Sequence, residues 1–297
     1  MASLQALYPL VPQRYKNSVK HAAAFANRLA GAERMVPDFL IIGAQKAGTS
    51  SLFKYLIRHG GYLRPLLKDI YYFDNNFDRG RRWYLSFFPS LAAKQERERE
   101  IGGPVLTGEG ATYYLLHPLA PERVRATFPD VKLIVLLRDP VQRALSHYFH
   151  NRRAGGEDAA TPEEAFRLEE VRLSGEEERL RRNPSYRSHN FQNYSYLARG
   201  RYAEQLERWL AVFPREQLLI ECSERFYRET DERFRRICRF LELPERSLPI
   251  YPAEGKGRNR SDDKGARSIA LEHFRRPNEQ LFDLLGERFP WATADCT

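Results

Sequence analysis

Continuous apolar runs alternate along the chain with longer stretches that have helical apolar spacing. Four short runs predict buried strands, because their apolar positions are consecutive rather than alternating. They read DFLIIG (38–43), PVLTGEG (104–110), VKLIVLLRD (131–139) and QLLIEC (217–222). Helical spacing is clearest in 195–213 and 231–243. This order predicts an α/β fold with a central parallel β-sheet flanked by helices on both faces.

No linker divides the chain, and we predict a single main domain. Residues 1–36 have the spacing of an amphipathic helix and are expected to form an N-terminal helical extension to a domain spanning 37–297. The charge-rich region 151–190 is interpreted as a helical insertion over the site, with an exposed surface insertion as the alternative. Ligands of such sheets bind beyond the carboxyl ends of the strands.

The loop after the first predicted strand reads GAQKAGTSSL (43–52) and has the glycine spacing of a phosphate-binding loop. Ser50 stands in the position of the hydroxyl residue of a nucleoside-triphosphate loop. Thr49, however, replaces the usual lysine, and Lys46 lies inside the loop instead. A glycine-bounded turn before a helix offers N–H donors and a positive dipole end to an anion. The sequence therefore predicts a P-loop-like domain with an altered anion site.

The third predicted strand ends in a basic residue followed by a helix start. Arg138 precedes Asp139 and Pro140, and this pair is typical of an N-cap followed by proline in the first helical turn. Arg138 suits a second phosphate better than a metal ion. ATP-magnesium enzymes need an acidic metal ligand at another strand end. The displaced lysine and this arginine both argue against such an enzyme.

Composition and charge narrow the class of protein without identifying its ligand. The chain has 297 residues, is 42% hydrophobic and carries a net charge of +9, which favours an anionic partner. No apolar run reaches membrane-spanning length, and the N-terminus does not resemble a signal peptide. Cys222, Cys238 and Cys296 have no metal-ligand spacing and are interpreted as isolated thiols. We therefore expect no membrane span and a cytoplasmic location.

Two motifs carry a resemblance to a known family. GAQKAGTSSL followed by VLLRDPVQRALSHY (135–148) resembles the cofactor motifs of sulfotransferases that use 3′-phosphoadenosine 5′-phosphosulfate (PAPS). Within that family the heparan sulfate sulfotransferases, both glucosaminyl N- and 3-O-types, are the most similar. Segments that resemble theirs are KDIYYFDNNFDRGRRWYLSFFP (68–89), GEGATYYL (108–115), LARGRYAEQLERWLAVFPREQLLI (197–220) and GKGR (255–258).

The resemblance implies PAPS as donor, 3′,5′-ADP as product and no metal ion. The first motif would bind the 5′-phosphosulfate, and Arg138 with Ser146 would bind the 3′-phosphate. The GKGR loop would close over the donor and exclude water. The residues expected to bind the donor are Gln45, Lys46, Ala47, Gly48, Thr49, Ser50, Ser51, Arg138, Ser146, Lys256, Gly257 and Arg258.

The same resemblance implies the catalytic residues. Asp69 matches the family's catalytic glutamate with one methylene fewer and would be the general base, while Lys46 would stabilise charge on the leaving phosphate. Spacing alone favours a surface or helix-capping carboxylate at Asp69, and the resemblance is what favours the catalytic role. The residues expected to contact the acceptor are Lys68, Tyr71, Tyr72 and Glu109. A structural hydrogen bond for Glu109, aromatic packing for the tyrosines and a solvated Lys68 stay open as alternatives.

We expect metal-free, in-line transfer of a sulfuryl group to a hydroxyl or amine, on a carbohydrate. The alternatives are a sulfotransferase acting on a small natural product, a P-loop kinase or NTPase, and a non-catalytic module that binds polyanions. No long basic run is present, so nucleic acid is not an expected partner. His147 and His150 are one helical turn apart but lack a third ligand, so no metal site is expected. Nothing in the sequence bears on oligomeric state.

Overall fold

The structure, a computed structural model, describes residues 15–252 and 263–291. Four parallel strands form its central sheet in the spatial order β2-β1-β3-β4. They are β1 (Phe39–Gly43), β2 (Gly108–Glu109), β3 (Lys132–Leu137) and β4 (Leu218–Cys222).

Burial of the strands shows that both faces of the sheet are covered. Every residue of β1 and β4 is buried, and in β3 only Lys132, at the amino end, is partly exposed. Because successive side chains of a strand point to opposite faces, a fully buried strand needs packing on each face. The predicted α/β fold with a covered parallel sheet is confirmed.

The described residues contain helices of five to 22 residues around this sheet. They are α1 (Lys16–Leu29), α2 (Thr49–His59), α3 (Arg81–Leu85), α4 (Leu91–Ile101), α5 (Ala120–Thr127), α6 (Pro140–Arg153), α7 (Pro162–Leu173), α8 (Glu176–Arg182), α9 (His189–Asn193), α10 (Tyr202–Leu210), α11 (Ser223–Arg228), α12 (Thr230–Phe240) and α13 (Lys264–Leu285). Helices α2, α6 and α11 follow β1, β3 and β4 directly, and their first turns therefore lie at the carboxyl edge of the sheet.

Two elements differ from the predicted pattern. The strand predicted at 104–110 pairs with β1 only through Gly108–Glu109. Leu106 instead exchanges backbone hydrogen bonds with Gly61 and Leu63, so the first half of the run pairs with another segment. Of the helix predicted at 195–213, only Tyr202–Leu210 is α-helical, and Ala198–Gly200 before it forms a 3-10 turn. At Gly200 the ring of Phe274 leaves no room for a Cβ atom.

The predicted extension and insertion contain helices in the described residues. In α1, the Asn27 side chain donates to the carbonyl of Ser86 at 2.9 Å, which ties this helix to the end of α3. Helices α7 and α8 lie within 151–190, and α7 packs against α6 and α13. Domain boundaries at these positions stay predictions, as does the location of 151–190 over the site.

Candidate functional site

The carboxyl ends of β1 and β3 open into a cleft of about 1100 Å³. It brings together most of the residues predicted from sequence, although they are spread over a hundred positions. Those that line it are Gln45, Lys46, Gly48, Thr49, Ser50, Ser51, Lys68, Asp69, Arg138 and Ser146. No residue of the described segment 151–190 is among its lining residues. Lys256, Gly257 and Arg258 lie outside the described residues.

The loop between β1 and α2, hereafter the phosphate turn (residues 44–51), depends on two positive φ angles. Lys46 has φ +70° and Gly48 has φ +100°. A Cβ atom at Gly48 would lie 2.7 Å from the Tyr227 hydroxyl, so this position needs glycine for space as well as for backbone conformation. Ala47 is buried, and its N–H donates to the carbonyl of Ala44 at 3.2 Å. Ala47 therefore anchors the turn, and its contact with a ligand stays a prediction.

The first turn of α2 offers unused hydrogen-bond donors. This helix begins at Gly48 without a capping side chain and without an acidic residue in its first turn. Within the described part of the chain, the N–H groups of Gly48, Thr49 and Ser50 make no recorded hydrogen bond. Free donors at a helix N-terminus form an anion site.

Arg138 and Lys46 meet at this turn. One Nη of Arg138 donates to the carbonyl oxygen of Lys46 at 3.1 Å, and the carbonyl of Arg138 accepts from the Tyr202 hydroxyl at 2.8 Å. Burial, together with the charges of Arg153 and Arg138, lowers the pKa of Lys46. Lys46 and Arg138 thus concentrate positive charge in this part of the cleft, and the charge of Arg153 acts on Lys46 from nearby. This charge favours an anionic ligand over a metal cation.

One face of α6 continues the cleft from Arg138. Gln142, Ser146 and His150 are spaced four residues apart and all line it. Burial lowers the pKa of His150, and the nearby Lys46 lowers it further. His147 points elsewhere: it is fully buried and lies 3.4 Å from the Asn151 amide nitrogen. Among the described residues, no group of three or more His, Cys, Asp or Glu side chains is arranged to hold a metal ion.

Another part of the cleft, beside Lys68, contains the predicted base. The Lys68 ammonium lies 3.1 Å from Asp69 Oδ1 and donates to the carbonyl of Gly110 at 2.8 Å. Burial raises the pKa of Asp69, and the Lys68 charge partly opposes that shift. Thr112 lines the cleft beside them. This part of the cleft therefore combines a carboxylate of increased basicity with an ammonium and a hydroxyl.

Glu109 and Tyr72 lie behind the cleft wall. Glu109 is fully buried, and it accepts hydrogen bonds from the Ile70 N–H at 3.3 Å and the Tyr114 hydroxyl at 2.6 Å. Tyr72 is 3% exposed, and its ring stacks on Tyr84 at a centroid distance of 4.5 Å. Neither side chain lines the cleft, so the predicted acceptor contact is not supported for these two residues. We assign both to the support of the segment that contains Asp69.

Tyr71 differs from its neighbour. It has φ +56° and is 36% exposed, and its carbonyl accepts from the Asn76 side chain at 3.0 Å. Burial and the charge of Asp69 both raise the pKa of Tyr71. Tyr71 is not one of the residues that line the cleft.

Sequence reasoning missed the contribution of α11 and its neighbours. Ser223, Glu224 and Tyr227 line the cleft beside the phosphate turn, as do Thr230 and Tyr251. These are common residue types outside any motif, and the only available signal was their position just after a predicted strand. Gln142 and His150 had a clearer signal, since they repeat at intervals of four around Ser146.

Comparisons with known proteins agree with this geometry. The sulfotransferase domain family matches residues 36–251, which is more than half of the chain. The chain belongs to this family, and it is a sulfotransferase.

The individual relatives have low sequence identity to this chain, but their alignments cover most of it. Human heparan sulfate glucosamine 3-O-sulfotransferase 6 is 27% identical over 87% of this chain and 74% of its own length. The membrane-associated sulfotransferase kil1 of Dictyostelium discoideum is 24% identical over 94% of this chain and 71% of its own. A crystal structure of a sulfotransferase from Alicyclobacillus acidocaldarius, 30% identical, matches with a TM-score of 0.61 over 86% of this chain and 98% of that one. The predicted resemblance to heparan sulfate sulfotransferases is confirmed.

The prediction of a cytoplasmic location is wrong. The similar proteins include one that is membrane-associated and several heparan sulfate enzymes. Within residues 15–252 and 263–291, no helix has the length and apolar character needed to cross a membrane. The prediction was made from the lack of a membrane-length apolar run, the lack of a signal-peptide pattern and the isolated cysteines, and none of these properties determines where a sulfotransferase works.

Proposed function

We propose that this sulfotransferase takes its sulfuryl group from PAPS and transfers it to a hydroxyl or amine of a carbohydrate. The observation that carries the proposal is a single cleft lined by both the cationic phosphate turn and a partly buried carboxylate. When bound, PAPS supplies a sulfuryl group on a phosphate leaving group. The remaining requirements are binding, orientation and proton removal, and these belong to the protein.

The two anionic ends of the donor match two sets of side chains. The N–H groups of the phosphate turn, the hydroxyl of Ser50 and the Lys46 ammonium suit the 5′ side. Arg138, at the end of β3, and Ser146, two turns into α6, suit the 3′-phosphate. Because the Arg138 guanidinium bonds to the backbone of Lys46, a change in either group alters the position of the other.

Asp69 is the proposed general base. A raised pKa makes a carboxylate a better proton acceptor as the acceptor group attacks, and the burial of Asp69 acts in that direction. Lys68 fixes the carboxylate at 3.1 Å and limits the shift. On the leaving-group side of the sulfuryl group, the Lys46 ammonium would stabilise negative charge that develops on the leaving phosphate.

A carbohydrate acceptor is supported by the relatives, whose names specify heparan sulfate, and by the net charge of +9, which attracts an acidic glycan. A small natural product is the alternative acceptor. A P-loop kinase would need an acidic metal ligand near the turn. Asp139 cannot easily serve, because one of its carboxylate oxygens caps α6 by accepting from the N–H groups of Val141 and Gln142.

The donor proposal is tested by ligand-induced changes in melting temperature. We expect 3′,5′-ADP to raise the melting temperature equally with and without magnesium, because the turn supplies cations of its own. ATP with magnesium should have a much smaller effect. Stabilisation by ATP only in the presence of magnesium, with no response to 3′,5′-ADP, would instead support the kinase alternative.

The base is tested by replacing Asp69 with alanine. With labelled PAPS and a panel of heparan-type glycans and small alcohols and amines, Asp69→Ala should lower kcat by about 10²–10⁴-fold, the usual contribution of a general base. Its affinity for 3′,5′-ADP should stay within about twofold of wild type. Asp78→Ala, a matched change at an exposed carboxylate that pairs with Arg187, serves as control. Wild-type turnover by Asp69→Ala would remove the assignment.

A further inference from the structure

Helix α11 contacts the phosphate turn at two points. The Ser223 hydroxyl donates to the carbonyl oxygen of Ala47 at 2.8 Å. The Tyr227 hydroxyl lies 3.0 Å from Ser51 Oγ. Residues four apart lie on the same face of a helix, so one face of α11 packs along the turn. This contact follows from the sheet order, since β4 is the neighbour of β3 and delivers α11 to the same edge.

The Tyr227 hydroxyl occupies the space left by the missing side chain of Gly48. An added Cβ at that glycine would approach the hydroxyl to 2.7 Å and the attached ring carbon to 3.1 Å. The hydroxyl therefore lies directly beside the first residues of α2, which line the cleft. The Tyr227 side chain lines this cleft and is 38% exposed, so it is accessible to a ligand.

The position of the phenol is fixed by its surroundings. Its ring makes an edge contact with Phe226 at a centroid distance of 5.6 Å, and Phe226 stacks on Tyr55 at 5.8 Å. The Thr230 hydroxyl donates to the Tyr227 carbonyl at 3.1 Å. A side chain held in place loses little conformational entropy when it binds a ligand.

A phenol hydroxyl can accept one hydrogen bond and donate another. When the Ser51 hydroxyl donates to Tyr227, the Tyr227 O–H is available to a third group at the same turn. We propose that Tyr227 donates a hydrogen bond to the 5′ anionic group of the donor nucleotide and so completes, from α11, the site formed by the phosphate turn and Lys46. This inference rests on the proposed function, because it assumes a nucleotide with a 5′ anion in the cleft.

The proposed hydrogen bond also predicts which nucleotides should be affected by loss of the Tyr227 hydroxyl. Because this hydroxyl would bind the 5′ group, its removal should weaken the binding only of nucleotides that carry a 5′ group. Adenosine 3′-phosphate has the same base, sugar and 3′-phosphate as 3′,5′-ADP but lacks the 5′-phosphate. Comparing these two ligands separates the loss of one hydrogen bond from a general disturbance of the cleft.

The experiment measures affinities of both ligands by calorimetry for wild type and Tyr227→Phe. A hydrogen bond to a charged group at a partly exposed site leads us to expect about tenfold weaker binding of 3′,5′-ADP by the variant. Binding of adenosine 3′-phosphate should change by less than about twofold. Tyr186→Phe is the matched control, since it removes a hydroxyl that bonds to Glu176 far from the turn, and it should bind both ligands as wild type does.

The outcomes distinguish the two proposals. If wild type fails to bind 3′,5′-ADP, the proposed function is wrong, and the role of Tyr227 is lost with it. If wild type binds it and Tyr227→Phe binds it equally well, only the inference about Tyr227 is wrong. Equal weakening for both ligands would also overturn it, because that pattern indicates a disturbed cleft. Urea unfolding of the unliganded variant checks that it is folded.

Discussion

Two carboxyl groups lie at the segment that contains Lys68 and Asp69, and burial gives them different properties. Asp69 lines the cleft beside Lys68, whereas Glu109 is fully buried and bonds to the Ile70 N–H. Burial raises the pKa of Glu109 to about 8, so this side chain holds a proton at neutral pH. Glu109 therefore suits the support of the segment, while the charged Asp69 suits proton transfer.

Two substitutions of Glu109 distinguish the role of its hydrogen bonds from the role of its charge. Glu109→Ala removes the acceptor of the Ile70 N–H, and we expect kcat to fall at least about tenfold as the Asp69 segment loosens. Glu109→Gln keeps an acceptor of the same shape and should retain activity within about threefold. Both variants should bind 3′,5′-ADP like wild type. Equal losses in the two variants would show that the proton or charge of Glu109 matters, rather than its hydrogen bonds.

At the scale of elements, the apolar runs of the sequence were sufficient to predict β1, β3 and β4, because each strand is buried on both faces. The start of α6 was also predictable, since Asp139 and Pro140 have a local capping function that does not depend on the rest of the fold. The contribution of α11 was not. Ser223 and Tyr227 acquire their contacts only when β4 pairs with β3, and no local pattern encodes that proximity.

The cap of α6 provides a test at this scale. One Asp139 carboxylate oxygen accepts from Val141 N–H at 2.8 Å, and the backbone N–H of Asp139 donates to Glu224 at 3.0 Å. Asp139→Ala should lower the free energy of unfolding by about 1 kcal/mol. Asp139→Asn should lower it by only about a few tenths of a kcal/mol, because asparagine caps helices about as well as aspartate does. Urea denaturation measures both.

A second cap distinguishes stability from function. Thr161 caps α7 by accepting from the Glu164 N–H at 3.2 Å, and α7 does not line the cleft. Thr161→Ala should cost a similar free energy of unfolding without changing the affinity for 3′,5′-ADP. Asp139→Ala should also weaken that affinity, because α6 positions Ser146 and follows Arg138. Equal affinities in the two alanine variants would contradict this coupling.

For the molecule as a whole, strand order decides which predicted residues meet. Because β1 lies between β2 and β3, the phosphate turn has the Lys68–Asp69 segment on one side and Arg138 on the other. The sequence resemblance predicted both donor and acceptor residues of the cleft, but not which of them line it. Tyr72 and Glu109 were predicted as acceptor contacts from motif position alone, and in the structure both are buried behind the cleft wall.

Buried ionisable groups also give the whole protein a pH-dependent stability. Burial raises the pKa of Glu109 to about 8 and that of Asp74 and Glu169 to about 7. Each of these groups holds a proton in the folded state that it has released in the unfolded state near neutral pH. Burial lowers the pKa of His117 to about 3 and also lowers that of His147. These histidines bind protons below about pH 6.5 only when the chain unfolds.

The two sets of groups act in opposite directions, so stability should have a maximum near mildly acidic pH. From about pH 6.5 to 8 the folded state binds more protons than the unfolded state, and the free energy of unfolding should fall as pH rises. At the most acidic pH values the histidines reverse the slope. Urea denaturation across this range measures the curve. Glu109→Gln should reduce the slope above pH 6.5, because it removes one of the three protons released on unfolding. An unchanged slope would show that Glu109 does not release a proton on unfolding in this pH range.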